Sequence, residues 1–336
     1  MYKKFLQLFL IIIATNYSCN HPEKLQKVMF GGETQGTYYA ITYFEKDGIS
    51  YQNEIDSLLN DFDNTASMWV ENSILSRVNR NDTNVKLNKH FIDIYELSKQ
   101  VSENTEGAFD ITVGPLINAW GFGFSERIKV DKHIVDSLLP LINFRAVSLS
   151  DGKIVKDKPG ISFDFNAIAQ GYSVDLVAGF LQTKGINNFI VDIGGEVVAH
   201  GKKPDGSLWR VGIEKPTETK DSERTLNAVV TMENTSLATS GSYRKYYEEG
   251  GIRYSHTINP KTGYPVTHSL LSVSVLAENA SIADAYATAF MVMGLEKAKV
   301  FLEENKELEA YFIYFEKDRL KTYCTKGLQE ILKEEI

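Results

Sequence analysis

The sequence of 336 residues lacks the common signatures of metal and nucleotide sites. It contains two cysteines, Cys19 and Cys324, and neither a CxxC motif nor a histidine pair at i, i+4, so no zinc site is predicted. The phosphate-binding G-x-x-x-x-G-K-[ST] motif and the G-x-G-x-x-G turn are both missing. The net charge is -8 and no basic cluster interleaves with aromatic residues, which argues against a nucleic-acid partner.

The N-terminal apolar run is too short to span a bilayer. It covers residues 5–14, follows two lysines and has about half of the ~20 residues that a spanning helix needs. This pattern is typical of a signal peptide, and the segment ending at Cys19 resembles a lipobox, although an ordinary secretory signal is the alternative. We therefore expect residues 1–18 to be a lipoprotein signal peptide and residues 19–30 to be a tether that begins with lipidated Cys19. The protein would then be lipid-anchored in the cell envelope and face the periplasm.

The remaining residues, 31–336, are predicted to form one compact α+β unit. Hydrophobic residues make up 43% of the chain, enough for a sizeable core, and no linker, repeat or low-complexity tract divides it. Because strand and helix patterns do not alternate regularly, we expect mostly antiparallel sheets flanked by helices. Strands are predicted at 36–44, 189–193 and 273–276, and helices near 55–62, 90–104, 167–185, 280–293 and 295–303. Asn279 is expected to cap the helix 280–293, which Gly294 stops. The segment 109–123, rich in glycine and aromatic residues, is predicted to be irregular and to line a site.

Three segments carry side chains suited to chemistry. Asp284 and Thr288 share one face of a predicted helix among alanines, and two hard oxygen donors suit Mg²⁺, although a solvated pair is the alternative. Asp164 stands just before a helix start, where free N–H groups bind phosphate, or else it caps that helix. His256 precedes a rigid Pro/Gly turn that fixes its direction, as a ligand-binding or acid–base residue needs, with a structural role as the alternative.

In their order along the chain, these segments resemble the motifs of the ApbE family, the FAD:protein FMN transferases. The resemblance extends from Gly36 to Gly294. The matching blocks are 36–38, 67–69, 72–73, 76–79, 107–116, 120–123, 164–175, 192–196, 238–241, 254–265 and 283–288. The resemblance implies an ApbE-like fold and a flavin transferase lipoprotein.

It also implies a reaction and a site. A Thr or Ser hydroxyl of an acceptor protein attacks the FMN-side phosphorus of FAD with the help of Mg²⁺, and AMP is released. The expected acceptor is a flavoprotein subunit of an envelope electron-transfer or sodium-pumping complex. The metal ligands map onto the Ala167 carbonyl and the side chains of Asp284 and Thr288, with Asp284 essential for catalysis. The resemblance identifies no general base, and His256 is a candidate by its chemistry. The FAD contacts map onto Trp69, Ala108, Phe109, Asp110, Asp164, Gln170, Ser240 and His256.

Three residues depart from the family pattern. Gln35 stands where the family commonly has Met, Trp69 where it has Tyr, and Gln170 where it has Lys. Trp69 can still stack on a flavin or adenine ring. Gln170 lacks a positive charge that could face the pyrophosphate, so neutralisation would fall more heavily on the metal. Two other functions remain open on the residues alone: a metal-dependent FAD pyrophosphatase and a non-catalytic flavin-binding lipoprotein.

Overall fold

The computed structural model describes residues 25–123, 128–216, 225–242, 246–249, 252–317 and 319–334, and the predicted signal peptide and Cys19 lie outside them. The strands are β1 (Gln26–Thr34), β2 (Thr37–Glu45), β3 (Val147–Ser150), β4 (Lys153–Lys156), β5 (Phe189–Ile193), β6 (Glu196–His200), β7 (Trp209–Glu214), β8 (Leu226–Met232), β9 (Thr235–Gly241), β10 (Tyr246–Glu249), β11 (Ile252–Ser255), β12 (Leu270–Ala277), β13 (Glu309–Glu316), β14 (Arg319–Cys324) and β15 (Leu332–Glu334). The helices are α1 (Gln52–Ala66), α2 (Ile74–Asn79), α3 (Lys89–Asn104), α4 (Gly114–Ala119), α5 (Lys132–Leu138), α6 (Ala169–Thr183), α7 (Ala280–Met293), α8 (Leu295–Glu304) and α9 (Lys326–Gln329), with short 3-10 turns at Leu139–Leu141 and Phe144–Ala146. Within the described ranges, no helix has the length and apolar character that crossing a bilayer requires.

An eight-stranded antiparallel sheet organises the described part of the chain. Its order is β1-β2-β5-β6-β9-β12-β13-β14, and each neighbouring pair runs antiparallel. A smaller sheet has the order β15-β8-β7, and the pairs β3-β4 and β10-β11 are antiparallel hairpins. The prediction of an α+β fold with mostly antiparallel sheets flanked by helices is confirmed.

The two faces of the large sheet pack against different layers. Along β5, Phe189, Val191 and Ile193 are fully buried in a cluster that includes residues of α1 and α6. Ile190 lies on the opposite face and packs with the cluster between the large and small sheets. This alternation follows from the two-residue period of a strand. The helices α6 and α7 therefore cover one face, and the small sheet covers part of the other.

Helix α7 is enclosed by its neighbours rather than lying on the surface. It contacts β9 and β12 of the large sheet as well as α6 and α3. Small and apolar residues surround its axis, and 11 of its residues are buried, as expected for a helix that is hydrophobic on all sides. Asp284 is buried on this helix among alanines, so its carboxylate must be stabilised by specific partners.

The described structure differs from the sequence predictions at the first strand and in the segment 109–123. The first strand begins at Gln26, inside the segment 19–30 that was predicted to be a tether, because Val28 is buried against the α1 and α6 layer when β1 pairs with β2. The segment 109–123, predicted to be irregular, contains the short helix α4. Pro115 stands in its first turn, where a missing N–H costs nothing.

Candidate functional site

One cavity of about 390 Å³ collects all the binding residues that the sequence predicted within the described chain. Its walls come from the segment after α3, the start of α6, the end of β9, the turn after β11 and the inner face of α7. The predicted residues in its lining are Trp69, Ala108, Phe109, Asp110, Asp164, Ala167, Gln170, Ser240, His256, Asp284 and Thr288. These residues span more than 200 positions of the chain, and the fold brings them to one place. Their individual roles stay predictions.

Asp284 is a buried carboxylate with one hydrogen bond from a backbone donor. Its side chain is 5% exposed and accepts a hydrogen bond from the Gly171 N–H at 3.1 Å. Burial raises the pKa of Asp284 to about 7, the Gly171 hydrogen bond opposes that rise, and the nearby Asp175 carboxylate adds to it. Among the described residues, no Lys or Arg forms an ion pair with Asp284. An ionised Asp284 therefore needs a positive charge from outside the described chain.

The groups around Asp284 fit a divalent cation. Thr288 lies one helical turn further along α7, and its hydroxyl is 3.1 Å from the Ser240 hydroxyl on β9. Ala167, whose carbonyl was predicted as a ligand, lines the same cavity in the turn before α6. A carboxylate, a hydroxyl and a carbonyl are the oxygen donors that Mg²⁺ takes while keeping water or phosphate as its other ligands. Across the described ranges, no group of three or more His, Cys, Asp or Glu could hold a metal, so a cation here depends on this mixed set.

A pair of carboxylates locks α6 and α7 together. Asp175 on α6 accepts hydrogen bonds from the N–H groups of Ala280 and Ser281 at 2.8 and 2.9 Å, and from the Ser281 hydroxyl at 2.6 Å. In return, Asp284 on α7 accepts from the N–H of Gly171 in the first turn of α6. Each helix thus places a carboxylate at the positive N-terminal end of the other.

The expectation that Asn279 caps α7 is wrong. Asn279 precedes the helix, but its side chain makes no capping hydrogen bond, and Asp175 satisfies the first N–H groups instead. The N-cap pattern identifies only local caps. Asp175 is a site-supporting residue that sequence reasoning missed, since its partner lies 105 positions away.

Gly171 allows the close contact between these helices. A Cβ at this position would lie 2.3 Å from the Ala280 carbonyl oxygen and 2.8 Å from the Ser281 Cα, both backbone atoms of α7. Only glycine lets the first turn of α6 approach α7 so closely. The same approach brings the Gly171 N–H to Asp284.

Asp164 and Asp110 use their carboxylates in local protein contacts. Asp164 accepts from the Asn166 N–H at 2.7 Å, which fixes the turn before α6. Asp110 accepts from the Thr112 N–H and hydroxyl and from the Phe144 N–H, all within 2.9 Å, although burial still raises its pKa. The Asp110 carboxylate therefore holds the wall of the cavity together.

The Gln170 amide is directed toward the turn between β5 and β6. Its Nε2 donates to the Ile193 carbonyl at 3.1 Å, and a Cβ at Gly194 would lie 1.8 Å from the same nitrogen. Gly194 has φ +64°, so both the turn geometry and the approach of Gln170 require glycine there. No Lys or Arg is among the described residues that line the cavity. Because this described lining offers no basic side chain to a pyrophosphate, a bound cation would have to neutralise it.

Two ring-bearing side chains in the lining of the cavity are Trp69 and His256. The Trp69 side chain is 68% exposed and lines the cavity. The His256 ring packs edge-on against Phe122, with ring centres 6.3 Å apart. The turn after His256 is fixed by Trp120, whose indole N–H donates to the Gly263 carbonyl at 2.9 Å. The segment 109–123 thus supports the histidine turn.

We expect Trp69→Ala to weaken FAD binding and Trp69→Tyr to preserve most of it. Stacking on an exposed aromatic face contributes about 0.5 to 1.5 kcal/mol beyond burial, which corresponds to roughly a two- to tenfold change in Kd. Titration calorimetry of the three proteins with FAD and Mg²⁺ measures the difference. Equal affinities in all three would show that Trp69 does not contact FAD.

Comparisons with known proteins agree with this arrangement. The model of the ApbE family matches residues 35–312. A curated FAD:protein FMN transferase of Vibrio cholerae is 34% identical over 323 residues, covering 94% of this chain and 95% of that protein. A curated FAD:protein FMN transferase of Escherichia coli K12 is 33% identical over 315 residues, covering 90% of this chain and 89% of that protein.

Two solved structures show the same fold. The flavin transferase ApbE from Vibrio cholerae superposes with a TM-score of 0.82 at 33% identity, covering 92% of this chain and all of that one. The apo form of Pseudomonas stutzeri flavinyl transferase ApbE gives a TM-score of 0.81 at 32% identity, covering 91% of this chain and 97% of that one.

Proposed function

The chain belongs to the ApbE family, and from that premise we infer that it is an FAD:protein FMN transferase that places FMN on a Thr or Ser hydroxyl of an acceptor flavoprotein and releases AMP. The observation that supports this best is the cavity around Asp284. It gathers the predicted FAD-binding residues beside a buried carboxylate that has no cationic partner among the described residues. Phosphoryl transfer depends on positioning and charge neutralisation, which such a site can provide.

The residues that would hold Mg²⁺ are Asp284, Thr288 and the Ala167 carbonyl. When bound, the cation withdraws charge from the pyrophosphate and offsets the negative charge that builds up in the transition state. The contacts of α6 and α7 keep the Asp284 carboxylate fixed, because its position depends on the Gly171 N–H. Ser240, which contacts Thr288, keeps that hydroxyl from turning away.

The transfer forms one bond and breaks another. The acceptor hydroxyl oxygen bonds to the FMN-side phosphorus of FAD, the bond from that phosphorus to the bridging oxygen breaks, and AMP leaves with the bridging oxygen. The hydroxyl proton must pass to a base. His256 lines the cavity and carries the only imidazole in its described lining, so it is the residue we propose for this proton.

Incubation of the protein with FAD, Mg²⁺ and a flavin-acceptor domain tests the proposal. We expect a covalently yellow acceptor whose mass has increased by FMN, together with one AMP per flavin. Free FMN and AMP with an unmodified acceptor would identify a pyrophosphatase. Unchanged FAD would identify a binding protein without activity.

The cellular location is proposed from the N-terminal sequence alone. We propose that Cys19 is lipidated, that the protein is anchored to a membrane of the envelope, and that it faces the periplasm, where it would serve a subunit of an electron-transfer or sodium-pumping complex. Mass spectrometry of the mature N-terminus from the native host should show a diacylglycerol-modified Cys19. Cleavage elsewhere with a free thiol would rule this out.

A further inference from the structure

A second cavity, of about 260 Å³, adjoins the cavity of about 390 Å³ that contains the predicted FAD-binding residues. We call the larger one the FAD cavity. Tyr38, Asp192, the Gly194-Gly195 turn and the strand β7 form its walls. Thr239 and Gly241 of β9 line both cavities, so the two share part of one wall. We call this second cavity the β7 groove. A chain segment that lies in the β7 groove is therefore next to the residues predicted to bind FAD.

The shared wall is a strand with one open side. β9 pairs with β12 from Ser236 to Gly241, but it pairs with β6 only from Thr235 to Leu237. Within the described residues, the last four residues of β9 therefore have a strand neighbour on one side only. Peptide groups along such an edge can accept another strand.

A second open edge faces the same groove. β7 is the outer strand of the order β15-β8-β7 in the described chain, and its residues Arg210, Val211, Gly212 and Glu214 line the groove. Arg210 and Gly212 are exposed. The groove thus offers backbone hydrogen bonds on two sides, which do not depend on the side chains of the bound segment.

The groove also carries anchoring side chains. Tyr38 is 43% exposed, and its hydroxyl donates to Asp192 at 3.2 Å. Asp192 accepts a further hydrogen bond from the Gly195 N–H at 2.9 Å, which fixes the floor at the turn. Tyrosine and arginine are enriched among the residues that dominate binding at protein interfaces.

We propose that the β7 groove binds the hydroxyl-bearing segment of the acceptor protein in an extended conformation, which rests on the proposed function. The groove is on the small-sheet side of the large sheet, whereas Asp284 and Thr288 lie on the helix side. A segment paired along the open side of Thr239, Ser240 and Gly241 lies in the plane of the sheet, between these two sides. Because alternate residues of a strand point to opposite faces, one side chain reaches the Ser240 and Thr288 hydroxyls while its neighbours stay in the groove.

The test compares acceptor kinetics in three variants of the full chain. Tyr38→Ala and Arg210→Glu alter the groove without touching the FAD cavity lining. Arg319→Glu makes the same charge change as Arg210→Glu at an exposed position of β14, the outermost strand on the far side of the large sheet, and serves as the matched control. The probe is an acceptor domain that the unaltered protein flavinylates, with FAD and Mg²⁺ saturating.

We expect Tyr38→Ala and Arg210→Glu to raise the acceptor KM by about tenfold or more, with unchanged Kd for FAD. Arg319→Glu should leave both quantities unchanged. An unchanged acceptor KM in both groove variants, or an equal rise in Arg319→Glu, would overturn the groove assignment while leaving the transferase intact. Failure of the unaltered protein to flavinylate any acceptor would instead overturn the proposed function and the groove with it.

Photocrosslinking gives an independent measurement. A benzophenone side chain at position 210 should form a covalent adduct with the acceptor domain, and one at position 319 should not. Peptide mapping of the adduct is expected to find the residues next to the flavinylated hydroxyl. Crosslinks to a distant region of the acceptor would contradict binding of that segment in the groove.

Discussion

Asp284→Asn should reduce FMN transfer by about a thousandfold while the protein stays folded. The substitution keeps the side-chain volume but removes the charge that we propose holds a cation, and metal assistance supplies several kcal/mol of transition-state stabilisation. The Asn side chain can still accept from the Gly171 N–H, so the link between α6 and α7 survives. Single-turnover transfer at limiting Mg²⁺, compared with the unaltered protein, measures the loss.

Asp63→Asn is the matched control. Asp63 is a partly buried carboxylate of α1 whose pKa is also raised by burial, and it lies outside the lining of the FAD cavity. Its replacement removes the same charge and should leave transfer unchanged. Near-normal transfer in Asp284→Asn, or an equal loss in both variants, would show that Asp284 does not hold the metal.

Asp284→Asn should also change how the stability of the protein depends on pH. Burial raises the pKa of Asp284 to about 7, well above its value of about 4 in the unfolded chain. Below pH 4 the carboxyl is protonated in both states and contributes nothing to the pH dependence. Between pH 4 and 7 only the unfolded state loses the proton, so the metal-free native state loses stability as the pH rises. The Tm advantage of Asp284→Asn over the unaltered protein in chelator should therefore grow from pH 4 to pH 7 and then level off.

Gly171→Ala should make the protein easier to unfold and also damage the proposed metal site. The new Cβ would lie 2.3 Å from the Ala280 carbonyl oxygen, so α6 and α7 must move apart. Overpacking of this kind costs about 1–3 kcal/mol, and here the displaced atoms belong to rigid backbone. Separation of the helices also lengthens the hydrogen bond from the Gly171 N–H to Asp284.

Gly179→Ala is the matched control on the same helix. A Cβ at Gly179 would meet no atom within 4 Å, so alanine should stabilise α6 by up to about 1 kcal/mol. Urea unfolding and Mg²⁺ titration of both variants make the comparison. Equal stabilities of the two alanine variants would contradict the close contact between the helices.

The sequence predicted what depends on local pattern. The start signal at Asn279 and the stop at Gly294 predicted α7 from 280 to 293, and the four-residue spacing placed Asp284 and Thr288 on one face. The buried strand β5 and the turn at Gly194 were also readable from a short apolar run followed by glycines. The resemblance to family motifs then grouped distant segments that no local pattern could connect.

What the sequence could not predict depends on contacts between distant segments. The cap of α7 comes from Asp175 on another helix, and the local candidate Asn279 has no such role. The contact of Ser240 with Thr288 joins a strand to a helix across 48 positions. The open side of β9 exists because β6 is shorter than its neighbour, which depends on strand register and not on residue type.

Because of the crossed carboxylates of α6 and α7, affinity for the proposed cation and local opening of the helix pair are two measures of one equilibrium. If this helix pair separates, the N–H groups of Gly171, Ala280 and Ser281 lose their acceptors at the same moment that Asp284 loses its place. A cation that binds only the closed pair stabilises it by mass action, in proportion to the logarithm of its concentration. The three amide protons should therefore exchange with solvent as one cooperative group, more slowly as Mg²⁺ rises. The ion concentration of the surrounding fluid would therefore set how long the enzyme stays in its active geometry.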